Sequence, residues 1–290
     1  MPNDDAHPHH HHHPGFDDPA TAESTEVEGE VLLGLATAAA EGVADECRRR
    51  GLDVRRVVDL GCGPGVGTGV LASIFPDAAV LGADGSPAMV ARARQRAARL
   101  GLTGRVQHRL VSLPDDLPSL DRSDVVWASM VLHHIGDEVA ALRAIHEHVL
   151  ARHGVLALVE HAGPIEVLPH DLGRPGLASR LDDAWAAWFA TMRADIPDAA
   201  PSADLAAMVA SAGYEVRRDE VVTEEIDPPL DDGTRDFVDR QVRRMLVQLE
   251  HHGDAADLAA VASFVDGHAE WIERARIRAP RRLVIATPER

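Results

Sequence analysis

Val57-Val58-Asp59-Leu60-Gly61-Cys62-Gly63-Pro64-Gly65-Val66-Gly67-Thr68 is the stretch on which the fold turns. A short apolar run, as expected of a buried strand, carries an acid near its end and passes into four glycines at alternate positions. A helical pattern follows. Glycines at this spacing let the backbone turn sharply and let a ligand approach the main chain without meeting a Cβ. In open α/β sheets that crevice, beyond the carboxyl ends of the strands, is where ligands bind. A dinucleotide loop requires G-x-G-x-x-G. Counted from Gly61, Gly63 or Gly65, the third glycine falls at Val66, Thr68 or Val70, so every register fails. A P-loop requires Gly-Lys-Ser/Thr, and the chain has no lysine. What remains is D-x-G-x-G-x-G with a carboxylate at its base. That suits a ligand with an amino group and a cationic centre better than a pyrophosphate.

A chain of 290 residues accommodates one large α/β domain with an elaboration, or one domain plus a small helical cap. Hydrophobic residues make up 45%, a globular composition. No apolar run approaches the roughly 20 residues of a membrane span, and the N-terminus lacks a signal-peptide pattern. Cys47 and Cys62 read as reduced thiols, which fits a cytoplasmic location. The net charge of −18 argues against nucleic acid as partner, because phosphate backbones require cationic surfaces. Arginine supplies all 29 strong positive charges, which together with the alanine content suggests a GC-rich bacterial genome.

Working outward, residues 1–22 are rich in His, Pro and Asp and are expected to be disordered; the run His9 to His13 is given no metal site. Residues 23–50 have helical spacing and end in three arginines and Gly51, a stop signal. Strands are expected at 55–60, 79–83, 105–111, 124–128 and 154–160, with helices at 66–75, 86–100 and 137–150 between them. This alternation implies a parallel sheet with right-handed crossovers. Beyond His161 prolines mark a connection. Helices follow around Trp185, Trp188, Phe189 and Met192 and at 202–212, then a strand at 213–222, helices at 236–250 and 255–279, and a last strand at 282–287. The division is therefore a tail at 1–22, a ligand-binding core at 23–162, a helical lid at 163–212, and C-terminal strands at 213–290 with a helical insertion at about 231–279.

The glycine loop resembles the first motif of class I S-adenosylmethionine (AdoMet) methyltransferases. Three further features coincide in order: Asp84-Gly85-Ser86-Pro87-Ala88-Met89 after the second strand, 124–134 at the fourth strand, and 150–160 leading into the fifth. The resemblance implies a Rossmann-like seven-stranded sheet of order 3-2-1-4-5-7-6, last strand antiparallel, with helical lid insertions. It also implies AdoMet as cofactor. Asp59 and the loop residues Gly61, Cys62, Gly63 and Gly65 would hold the methionine end. Asp84, with Gly85 beside it, would take the ribose hydroxyls, and Met89 would pack on the adenine. Ser112 stands where many relatives have an aspartate for the adenine amino group. The Leu113 backbone would reach the ring, and Ser129 and Met130 would complete the cofactor wall.

Methyl transfer from a sulfonium is chiefly a matter of alignment, and a hydroxyl acceptor must also lose a proton, a task suited to histidine. His133 and His161, at the ends of strands four and five, are the candidate bases, with Glu160 as an alternative. The stripe Trp185, Trp188, Phe189 and Met192 marks a buried helix face, one edge of which is a candidate acceptor wall. The leading reading is methylation of a small-molecule acceptor, such as a secondary metabolite. Protein methylation and a non-catalytic AdoMet-binding sensor or partner are the alternatives. Oligomeric state stays open, with the helical insertions as candidate homodimer faces.

Overall fold

The structure, a computed structural model, describes residues 17–169, 172–199, 204–267 and 269–289. The expected disorder of the tail and its His9 to His13 run therefore fall largely outside the described residues. Seven strands form one sheet in the order β3-β2-β1-β4-β5-β7-β6. They are β1 (Arg56–Leu60), β2 (Ala79–Asp84), β3 (Val106–Leu110), β4 (Ser123–Ser129), β5 (Leu150–His161), β6 (Tyr214–Ile226) and β7 (Ile277–Pro288). The β1–β2, β1–β4, β2–β3 and β4–β5 pairs are parallel, whereas β7 runs antiparallel to both β5 and β6. This is the expected order.

Alternation along the strands sends side chains to opposite faces, and each face has its own core. Val57, Val80, Val125, Val155 and Ile285 pack under helices α2 (Leu33–Arg49) and α3 (Val66–Ile74). Val58, Val126, Leu156, Leu158 and Val284 face α5 (Glu138–Ala144) and α7 (Leu205–Ser211). The Tyr214 hydroxyl is buried on that second face and donates to the Leu142 carbonyl at 2.8 Å. Cys47 and Cys62 are free and buried.

Several boundaries differ from expectation. The helix expected over 23–50 is two, α1 (Pro19–Val31) and α2, broken at Leu32. Pro19 sits in the first turn behind an Asp18 cap, so residues 19–22, expected to be disordered, are helical. The helix expected over 255–279 stops early: α9 (Ala255–Gly267) precedes a short 3₁₀ stretch, Ala269–Arg274, and 277–279 already belong to β7. Helices α6 (Leu177–Ala194), α8 (Asp232–His252) and α9 close one hydrophobic cluster around Phe237, Val238 and Ala184. The residues expected as a lid and those expected as an insertion thus share a core. Among the described residues no helix is long and apolar enough to cross a membrane.

Helix α1 lies against α4 (Pro87–Arg99) through one buried carboxylate. Glu26 is 2% exposed and accepts from Arg96 Nη1 at 2.9 Å, with Arg92 and Arg99 also on it. Burial pushes its carboxyl up, but the hydrogen bonds from Arg92 and Arg96 outweigh that and hold it below the usual value. Glu26→Ala is expected to cost about 2–3 kcal/mol in urea denaturation. That is less than a fully buried pair would lose, because Arg92 and Arg99 stay partly in water.

Candidate functional site

The chain leaves β1 at Leu60 and turns through the glycines into α3. Gly61 and Gly65 have φ of +65° and +84°, a region that disfavours side chains. A Cβ on Gly61 would also lie 2.2 Å from Val131 Cγ2, so the loop after β4 closes directly over this glycine. Gly61 and Cys62 N–H groups both donate to the Ala83 carbonyl, at 2.7 and 3.0 Å, which ties the loop to the end of β2. Asp84 continues the tie. Its Oδ2 accepts from Gly63 N–H and its Oδ1 from Ser86 N–H, each at 2.8 Å. Ser86 in turn caps α4 by accepting from Met89 N–H at 3.2 Å, which sets Met89 in the wall.

Asp59 lies on β1 beneath this loop, 2% exposed, with Thr68 Oγ1 donating to its Oδ2 at 2.6 Å. Burial pushes its carboxyl up to about 7, against the pull of the Thr68 hydrogen bond and with the Asp84 charge adding to the rise. A Cβ on Gly67 would sit 3.4 Å from Asp59 Oδ2 and 3.6 Å from Trp127 Nε1. That indole N–H is buried and has no partner among the described residues. A carboxylate and a donor therefore flank the space that a side chain at 67 would fill.

A cavity of about 720 Å³ runs over these groups, within the range of small-ligand sites. Every residue assigned from sequence to cofactor contact lines it except Gly65, which turns the loop behind it: Asp59, Gly61, Cys62 and Gly63 at the first loop, Asp84, Gly85 and Met89 at the second, Ser112 and Leu113 after β3, and Ser129 and Met130 after β4. Met130 holds a left-handed φ of +58°, a conformation that costs a non-glycine residue on the order of 1 kcal/mol. Its N–H donates to the Val159 carbonyl at 2.8 Å.

The histidines fall differently. His133 and His161 are neighbours, ring centroids 4.9 Å apart, but neither lines the cavity, whereas His134 does. His133 Nδ1 is 2.6 Å from Glu160 Oε2. Glu160 Oε1 accepts from the Val131 and Leu132 N–H groups, so this pair braces the segment after β4. His161 lies against Trp185 and Phe189. Burial, with nearby Arg281 next in weight, lowers it to about 2, which leaves it neutral and weakly basic. Of the α6 stripe, expected as a buried face, all four residues are half-buried; Trp185 and Phe189 pack on these rings and none of the four lines the cavity, whereas the segment just after that helix, Asp195 to Asp198, does. Arg193 is occupied by the His133 carbonyl at 2.6 Å and by Glu138. Arg180 is occupied by Asp257 at 2.5 Å. Among the described residues no cluster of His, Cys, Asp or Glu is arranged to hold a metal ion.

A family model for the methyltransferase domain matches residues 57–154, from β1 into β5. Residues 57–154 are thus a methyltransferase domain, and the strand order around them is the one expected of the class I AdoMet-dependent fold. Trans-aconitate 2-methyltransferase of Methylobacterium radiotolerans is 35% identical over 163 residues, covering 55% of this chain and 54% of the relative. The protein of the same name from Methylobacterium nodulans is 37% identical over 131 residues, 43% of this chain and 47% of its own. The chain spans about half the length of these curated relatives. Among solved structures, the YcgJ protein of Bacillus subtilis shares the fold, with a TM-score of 0.51 at 17% identity over 87% of this chain and 99% of that one.

Sequence reasoning about the methyltransferase domain missed part of its cavity wall. Glu28 and Gly29 of α1, Trp127 of β4 and Arg281 of β7 all line it. Trp127 had a signal, since it lies within the fourth-strand motif. Glu28 and Arg281 had none, because each reaches the cavity only through tertiary packing.

Proposed function

We propose that this protein transfers a methyl group from AdoMet to a small-molecule acceptor. The observation that carries the reading is Asp59, a carboxylate kept out of water beside an unpartnered indole N–H. A buried carboxylate without a cation is costly; an ammonium supplies the missing charge, and a ligand carboxylate matches a donor such as the Trp127 N–H. Together they complement an α-amino-acid tail. Asp84 is a carboxylate on the cavity wall at the end of β2, which suits it to ribose hydroxyls. Met89, Ser112 and Leu113 stand on the far side for the base. Gly61, Cys62, Gly63 and Gly85 give the ligand close access to the main chain, Gly65 makes the turn behind them, and Ser129 and Met130 stand between donor and acceptor. When bound, AdoMet supplies an electrophilic methyl on a cationic sulfur.

For the acceptor, a small carboxylic acid fits best. It is ionised at neutral pH and needs no base, which agrees with His133 and His161 standing behind the wall. The relatives' names make trans-aconitate the first compound to try. The test is calorimetry with AdoMet and S-adenosylhomocysteine (AdoHcy), followed by turnover with labelled AdoMet and a panel of small acids. Micromolar binding of both nucleosides and label transfer to an acid are expected. Failure of either nucleoside to bind, with uptake of NAD or a nucleoside triphosphate, would sink the reading.

A further inference from the structure

The cavity spans five neighbouring strands, with Asp84 on β2 at one side and Arg281 on β7 at the other. At about 4.8 Å per strand, four spacings separate those strands by roughly 19 Å. Arg281 is 3% exposed and sits opposite His161 in the β5–β7 register. Among the described residues its guanidinium makes one hydrogen bond, Nη1 to the Pro280 carbonyl at 2.9 Å. The nearest carboxylate, Glu28 Oε1, is 4.0 Å from Nη2, beyond hydrogen-bond reach. Glu28 is shared at similar length with Arg244, whose Nη1 lies 3.9 Å from it. Two guanidiniums thus flank one loosely held carboxylate. The other nearby acid, Glu160, is committed to His133 and to two backbone N–H groups.

A guanidinium carries five N–H donors in a rigid fork. Burying one against a cavity with a single carbonyl partner is expensive unless a ligand supplies the rest. Burial does hold this guanidinium below its ordinary pKa, opposed by the charges of Glu28 and Glu160. With the donor placed by Asp59 and Asp84 over β1 and β2, the β5–β7 end is left for the acceptor.

We infer that Arg281 is the anchor for a carboxylate of the acceptor, and that this carboxylate is not the one methylated. The inference rests on the methyltransferase reading and deepens it: the preferred acceptor carries at least two carboxylates, one gripped by Arg281 and a second reaching toward β4. Arg281 is then a specificity-determining residue, and monocarboxylates are poor ligands.

The test titrates trans-aconitate, succinate, acetate and inorganic phosphate into the full chain loaded with AdoHcy. Wild type binds trans-aconitate and succinate better than acetate and phosphate. Arg281→Met weakens trans-aconitate by roughly 30- to 300-fold, the loss of one or two charge-assisted hydrogen bonds, and leaves AdoHcy affinity within about twofold. Arg281→Lys recovers part of the affinity. Glu28→Gln moves it the other way, tightening trans-aconitate by roughly 3- to 10-fold as a competing negative charge is removed, and it serves on its own if Arg281→Met does not fold. Unchanged trans-aconitate affinity in Arg281→Met overturns the inference. So does a parallel loss of AdoHcy, which would give Arg281 to the donor's own carboxylate, or a phosphate preference. If AdoHcy itself does not bind, the methyltransferase reading has failed separately. The titration is then repeated on free protein, where Arg281-dependent binding of trans-aconitate upholds the anchor and its absence removes it.

Discussion

Asp59→Asn is expected to weaken AdoMet by roughly 100-fold or more while raising the melting temperature of the ligand-free protein. Both effects come from one buried charge. Burial lifts the carboxyl from 3.8 to about 7, so between those values the native state holds a proton that the unfolded chain has released. Stability of the free protein therefore falls as pH rises from about 4 to about 7 and levels off above. At 1.36 kcal/mol per pH unit the full loss approaches roughly 4 kcal/mol. Asparagine has no charge to bury and still offers an oxygen to Thr68, so its melting curve should not decline across that window. The same change removes the anion that would pair with a ligand ammonium, and charge-assisted contacts in dry sites are the strong ones. Wild type should also release a proton on binding AdoMet below about pH 7, seen as a calorimetric heat that varies with the buffer's ionisation enthalpy. Parallel melting curves for the two proteins from pH 5 to 8, or wild-type AdoMet affinity in Asp59→Asn, would refute this account.

How far the sequence could be read depended on the range of the forces involved. The β1 turn was legible because its requirements are local: positive φ at Gly61 and Gly65 and a capped helix at Ser86 are written in adjacent residues. The sheet order followed once those motifs fell in sequence. The start of β7 did not, because Pro280 reads against a strand between two neighbours. In the structure β5 pairs with β7 only as far as His161 opposite Arg281, so at Pro280 the strand has a single neighbour, β6, and the missing N–H is tolerated. Which of His133 and His134 reaches the cavity was likewise hidden, since a 3₁₀ turn at Leu132–His134 replaces the strand alternation there. Arg281 was the least legible of all. One arginine among 29 positive charges has no distinguishing local pattern, and its place at the cavity follows from the β7 register and from α1 bringing Glu28 near it.

Asp84→Ala is expected to weaken AdoMet, AdoHcy and 5′-methylthioadenosine alike, by roughly 100-fold, and this common loss separates its role from that of Asp59. The carboxylate does two things. Its oxygens hold the Gly63 and Ser86 N–H groups at 2.8 Å each, so removing it unties the first loop from the second. On the proposed reading it also accepts from the ribose, and hydrogen bonds to a charged acceptor contribute about 1.5–3 kcal/mol apiece. Both contributions concern the nucleoside, which 5′-methylthioadenosine retains. Asp59 concerns the amino-acid tail, which that compound lacks, so Asp59→Asn should leave its affinity unchanged. Asp84→Asn should fall between: one oxygen still accepts from a backbone N–H, while the amide group turns a donor toward the other. Calorimetry on three ligands and three variants reads the pattern directly. If Asp59→Asn weakens 5′-methylthioadenosine as much as AdoMet, the tail does not lie over β1, and the cavity must be read in the opposite direction.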